Sequence, residues 1–188
     1  ASYGGGLSNN YSSPALTNVI FRENSAQNNA GGMYSCDSAP VLTDVTFSNN
    51  SAQYNGGGIN IVGDASPVLT NVVFTGNSAG KGGAIYNDVG WTAGIDRLIV
   101  TNAAFSGNRA DKGGGMYNCE GTYLRIPVLT NTTFKENSAV SEGGGMYNTE
   151  ENCPIIKNSI FWGNSNGQID GTGEADIAYS LILDYTGA

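Results

Sequence analysis

PVLTDVTFSNNSAQYNGGGIN, residues 40–60, carries both recurring parts of a repeat that runs along almost all of this 188-residue chain. One part of it recurs as PALTNVIFRENSA (14–26), PVLTNVVFTGNSA (67–79), RLIVTNAAFSGNRA (97–110), PVLTNTTFKENSA (127–139) and PIIKNSIFWGNSN (154–166). The other recurs as YGGGL (3–7), AGGMY (30–34), GGAIY (82–86) and GGGMY (113–117 and 143–147). The marker residues Phe21, Phe47, Phe74, Phe105, Phe134 and Phe161 follow one another at 26, 27, 31, 29 and 27 residues. A period of that size is the signature of stacked repeats.

Each unit reads as one turn of a solenoid. No segment carries apolar residues at helical spacing, and glycine interrupts every unit. What is present is short, β-branched and alternating: Leu42, Thr43, then Val45, Thr46, Phe47, Ser48. Three short strands with their turns fit in about 22–30 residues, which makes the unit one coil of a parallel β-helix. Stacked coils put equivalent residues ~4.8 Å apart, so every aligned position becomes a column. Leu16, Leu42, Leu69, Val100, Leu129 and Ile156 form an inward aliphatic column beside the six phenylalanines, and Leu7, Met33, Ile59, Ile85, Met116 and Met146 fill the third strand. Asn18, Asp44, Asn71, Asn102, Asn131 and Asn158 fall at a bend, where stacked amides are expected to satisfy one another and the bend's backbone groups. Asn24, Asn50, Asn77, Asn108, Asn137 and Asn164 form a second ladder after the phenylalanine.

The paired G-G-[AMI]-[IMY] and F-x-x-N motifs resemble the repeat of the polymorphic outer-membrane protein adhesins. The tail NSIFWGNSNGQID…ADIAYSLI (158–182) is similar to the end of bacterial β-helix proteins of the "choice-of-anchor Q" type. The resemblance covers residues 4–182 and implies a right-handed parallel β-helix of six to seven coils, secreted or cell-surface, from a large bacterial protein. It implies no catalytic residues. Related coils also build pectin- and alginate-cleaving enzymes, so fold alone does not decide the matter.

Composition narrows the partners. Eight Lys and Arg against sixteen Asp and Glu give a net charge of −8, which argues against nucleic acid or an anionic membrane. No apolar run is long enough to span a bilayer as a helix. The chain reads as a single domain, residues 1–188, opening in mid-coil as a piece of a longer secreted protein would. Neither end supplies an obvious polar cap, so end-to-end stacking of molecules is a possible mode of assembly.

Three cysteines are present. Cys36 and Cys119 share a column but sit three coils apart, about 14 Å, beyond disulfide reach. Cys119 and Cys153 lie in neighbouring coils and are a possible disulfide. No C-x-x-C motif and no histidine occur, so no zinc or haem site and no histidine-assisted nucleophile is expected. No cofactor is expected, apart from calcium if the chain cleaved polysaccharide.

The candidate binding face is the third strand. If Met or Ile after the glycines points inward, Tyr34, Tyr86, Tyr117 and Tyr147 point out as an exposed aromatic file. From the motif's last Gly or Ala to Phe takes 15 or 16 residues in four coils, but 21 and 19 in coils four and five. The extra residues carry Trp91, Asp96, Arg97, Glu120, Tyr123 and Arg125. Insertions on one face of a repeat protein commonly mark its binding side. A non-enzymatic surface module for adhesion, glycan binding or assembly, with a glycan or another cell-surface protein as partner, is the first reading. A polysaccharide lyase or glycoside hydrolase using the loop acids Asp96 and Glu120 with neighbouring Arg97 and Arg125 is the alternative.

Overall fold

A computed structural model describes residues 1–89, 97–119, 126–150 and 153–183. Among them the chain has no helix, and every strand pairs in parallel with the equivalent strand of the next coil. A seven-stranded sheet comprises Leu7–Asn10, Met33–Cys36, Ile59–Gly63, Ile85–Val89, Met116–Asn118, Met146–Asn148 and Ile169–Gly171. A twelve-stranded sheet holds the Leu-Thr and Phe strands. In coils four and five these two strands run on through the bend, as Ile99–Ser106 and Val128–Lys135. The corner after the second asparagine adds two small pairs, Ser25–Ala26 with Ser51–Ala52 and Arg109–Lys112 with Ser138–Glu142. The molecule is a parallel β-helix.

The columns stand in the expected register. Leu16 pairs with Leu42, Leu42 with Leu69, Leu69 with Val100, Val100 with Leu129 and Leu129 with Ile156. The six phenylalanine rings stack at centroid spacings of 4.2–5.0 Å with interplanar angles of 11° or less. Phe47, Phe74, Phe105, Phe134 and Phe161 are wholly buried and form one core with Met33, Ile59, Ile85, Met116 and Met146.

The second asparagine column is the buried ladder. Asn77 Nδ2 donates to the Phe47 carbonyl (2.9 Å) and to Asn108 Oδ1 (2.9 Å), while its own Oδ1 accepts from the backbone N–H and Nδ2 of Asn50. Asn50, Asn108 and Asn137 repeat the pattern. All four hydrogen-bonding positions of each amide are thereby filled away from water.

The first column behaves differently from the expectation. Asn18, Asp44, Asn71, Asn102, Asn131 and Asn158 are exposed, with φ between 50° and 56°. Their backbone N–H groups do not need side chains. Asn18 donates to Thr43 O and Asn71 to Thr101 O of the next coil. The amides bond one another along the surface, Asn71 to Asp44 (3.0 Å) and Asn131 to Asn102 (3.0 Å). What the bend demands is a residue that tolerates the left-handed region, which Asn and Asp do better than most.

The chain ends its ladder with a substitution in the glycine motif. Gln168 stands opposite the third glycine of the coil below, where a side chain would ordinarily meet Phe and Asn of its own coil: a Cβ on Gly6 would sit 2.8 Å from Phe21 and 3.0 Å from Asn24. Coil seven has Ile182 in the phenylalanine column, so the space is open. Gln168 Oε1 accepts from Asn164 Nδ2 (2.6 Å) and takes the place of a seventh asparagine.

Candidate functional site

Strand alternation on the seven-stranded sheet puts two columns on its outer side. One runs Ser8, Tyr34, Asn60, Tyr86, Tyr117, Tyr147 and Asp170; the other begins Asn10, Cys36, Val62 and Asp88. The backbone bond from Cys119 N to Asn87 O continues the second column into coil five.

The tyrosines are brought together as a file, but not as an exposed one. Tyr86 and Tyr117 are only 7% and 5% exposed, and Tyr34 and Tyr147 are half-buried. The reason is stacking. Tyr86 and Tyr117 lie 5.4 Å apart at 11°, Tyr117 and Tyr147 5.2 Å apart at 17°, and Tyr34 meets Tyr3 at 5.2 Å in a tilted arrangement. Lys81 Nζ lies 5.2 Å from the Tyr117 ring centre, and Lys112 Nζ lies 4.6 Å from that of Tyr147. Ring faces are thus occupied by neighbouring rings and by cations. Lys112 is further held by Glu142 at 2.7 Å, and that hydrogen bond, followed by the one to Tyr147, raises its pKa.

Beside the tyrosines sit two thiol–carboxylate pairs. Cys36 Sγ donates to Asp37 Oδ2 at 3.3 Å. Burial and then the hydrogen bond to Asp37 raise the Cys36 pKa. Burial, followed by the charge of Cys36, pushes Tyr34 up to about 12. In coils four and five the counterpart is Cys119, hydrogen-bonded to Tyr86 and Asp88. Burial raises the Asp88 pKa against the lowering effect of that bond, and burial with the Cys119 hydrogen bond raises Tyr86. All three cysteines are half-buried thiols, so the pairing of Cys119 with Cys153 is not made in this structure. Asn60 interrupts the tyrosine file. It is wholly buried, and neither atom of its amide has a hydrogen-bond partner among the described residues.

The opposite side of the same sheet holds a ladder that the sequence reading passed over. Asn87 Nδ2 donates to Asn118 Oδ1 (3.0 Å) and Asn118 Nδ2 to Asn148 Oδ1 (2.8 Å), all inside the solenoid. The signal was present in Met116-Tyr117-Asn118, whose alternation puts Asn118 on the side of Met116. Ile61 breaks the column, so Asn87 Oδ1 and Ser35 Oγ face it without partners, and Gly171 leaves Asn148 Nδ2 unpaired at the other end.

Of the residues expected in the long loops, Arg97 is exposed, while Trp91, Asp96, Glu120, Tyr123 and Arg125 lie outside the described residues. Among the described residues, no group of three His, Cys, Asp or Glu side chains is placed to hold a metal ion. No helix among them is long and apolar enough to cross a membrane.

Residues 44–61 and 71–88 match the repeat of the Chlamydia polymorphic membrane protein family. Both stretches begin at the bend residue, cross the phenylalanine and the buried asparagine, and end in a strand of the seven-stranded sheet. The matched unit therefore covers the same part of two successive coils, from the bend to the seven-stranded sheet, and leaves out the Leu-Thr strand. No curated protein and no solved structure matches the chain.

Proposed function

We propose that this chain is a non-enzymatic β-helix module of a cell-surface protein, working in adhesion with a glycan or a surface protein as its partner. The observation that carries the reading is the match of the polymorphic-membrane-protein repeat to the same part of two successive coils of a solenoid. The resemblance of residues 158–182 to choice-of-anchor Q proteins fits a parent chain tethered to an envelope. The architecture suits the role. A parallel β-helix presents long, regular flanks that change one coil at a time, and repeat proteins bind through such surfaces.

The test uses the purified chain on a glycan array and on cultured cells, with reducing-end release assayed on every glycan retained. Saturable retention without release is the expected result. Failure to bind any glycan or cell surface overturns the adhesive reading, and release of reducing ends overturns the non-enzymatic one.

A further inference from the structure

The corner that follows the buried asparagine differs in length from coil to coil. From Ser51 to the first glycine of the next motif, Gly56, is five residues, and from Ser138 to Gly143 is also five. Between them, Ser78 to Gly82 and Arg109 to Gly113 are only four. The backbone shows the deletion directly. Lys81 N donates to Tyr54 O, both Asp111 N and Lys112 N reach Gly80 O, and the pairing of Arg109–Lys112 with Ser138–Glu142 slips between Ala110 and Lys112. Two short corners between longer ones leave a notch about two coils, or roughly 10 Å, high.

The notch has a volume of about 310 Å³, at the small end of the range of ligand sites. Its floor is Ala52, Ala79, Ala110 and the bare backbone of Gly80, where a Cβ would lie 2.8 Å from Tyr54 O. Gln53 and Val140 stand at its edges, with Val140 71% exposed. Arg109 and Asp111 alternate with buried Ala110 on one strand and therefore face out together. Among the described residues, no ion pair or hydrogen bond engages the side chains of Arg109, Asp111 or Gln53, although Ser141 Oγ donates to the Asp111 backbone carbonyl (2.8 Å). The neighbouring lysines turn away, Lys81 toward Tyr117 and Lys112 toward Tyr147 and Glu142.

We propose that this notch is a binding site for a single neutral sugar residue, such as the end group of a glycan. A guanidinium, a carboxylate and a carboxamide offer planar, two-pronged hydrogen bonding, the complement of neighbouring hydroxyls on a pyranose. Val140, exposed at the edge, offers an apolar side chain to the C–H face of the ring. Opposite charges at Arg109 and Asp111 cancel, which favours an uncharged ligand over a phosphate or a uronate. Among the described residues, no aromatic side chain lines the notch, so it offers no stacking platform for a nucleobase. The proposal rests on the adhesive reading above and gives it a location away from the tyrosine face.

The experiment is saturation-transfer NMR on the whole chain with the methyl glycosides of glucose, galactose, mannose and N-acetylglucosamine. Three variants run in parallel: Arg109→Ala, Asp111→Ala and Ser78→Trp, the last to fill the notch. Tyr147→Ala, on the other face, is the control. The expected result is transfer to at least one glycoside in the wild type, weakened tenfold or more by each notch variant and unchanged in Tyr147→Ala. Circular dichroism of each variant checks that the coils are intact. Absence of transfer from every glycoside overturns the site. So does equal transfer in wild type and all three variants. If arrayed glycans are still retained equally by the notch variants, the notch falls while the adhesive reading stands.

Discussion

Two asparagines six residues apart in one coil, Asn71 and Asn77, have opposite physical reasons to be there. Asn77 is buried, and its removal as Asn77→Leu leaves the Phe47 carbonyl, the Asn50 N–H and the Asn108 Oδ1 short of a partner. At about 1–3 kcal/mol for each buried group so stranded, the variant is expected to unfold at a much lower urea concentration than wild type. Asn71→Leu leaves the backbone bonds alone; it loses two exposed amide bonds, to Asp44 and from Asn102, and puts a branched residue in the left-handed region at about 1–2 kcal/mol. Equal midpoints for the two variants would refute the distinction. Asp88 gives a second handle. Burial raises its pKa above the ordinary 3.8, so the folded state binds the proton more tightly than the unfolded chain does. Its contribution therefore favours folding at low pH and declines as pH rises from the ordinary value through the raised one. Asp88→Asn is expected to gain stability relative to wild type between pH 3.5 and pH 7. A stability difference that stays constant over that range, measured by urea titration, would show that Asp88 is not desolvated.

Among elements, the phenylalanine stack carries the largest single side chains of the core. Phe105→Ala deletes a wholly buried ring with neighbours at 4.9 and 4.2 Å and is expected to cost about 3–5 kcal/mol. A melting temperature within a degree or two of wild type would remove the stack from the interior. The glycine motif makes a finer test. A Cβ on Gly114 would meet the carbonyl oxygens of Gly144 and Ser138 at 2.5 Å, all backbone. A Cβ on Gly115 also meets a backbone oxygen at 2.5 Å, but coil four itself carries Ala84 at the equivalent position. Gly114→Ala is expected to be the more damaging of the two, and the reverse order by thermal melting would contradict the close approach. Much of this was legible in the sequence. Leu42, Phe47 and Met33 identify three inward columns by strict alternation, and the recurring Asn or Asp before the phenylalanine strand marks the bend. Burial of Tyr86 and Tyr117 was not legible, because alternation tells which side a residue faces and not what packs over it. The two asparagine columns looked alike in sequence, and only their φ angles and partners separate them. The short corners at Gly80 and Asp111 could have been counted from the sequence, but a one-residue deletion carries no hydrophobic signal to draw the eye.

At the scale of the molecule, each coil touches only the one before and the one after, so stability is a chain of neighbour terms. Among the described residues, a middle coil has a coil on each side, whereas coil seven pairs on one side only. Its inward residues Ile177 and Ile182 remain 39% and 36% exposed, whereas Ile156 and Phe161 directly before them are wholly buried. Amide hydrogen exchange is expected to be slowest in coils three to five and fastest in coil seven. Gln168→Ala, which removes the partner of Asn164 Nδ2, is expected to hasten exchange in coil six without altering coils three and four. Uniform exchange along the whole chain would mean that the coils open as one unit.

The buried asparagine ladder also gives the molecule an electrical direction. In every rung from Asn24 to Asn137, backbone N–H and Nδ2 both donate forward to the Oδ1 of the next coil. Because the backbone donor cannot turn round, no amide in the row can flip without setting oxygen against oxygen. Six dipoles are thus aligned head to tail in a dry interior, each polarising the next. The row begins with an oxygen facing backward at Asn24 and would end with bare hydrogens at Asn164, were they not met by the Gln168 carbonyl. The column is a one-way thread: its sense is written into every rung, and a coil inverted within the stack would set Oδ1 against Oδ1 on one side and N–H against N–H on the other.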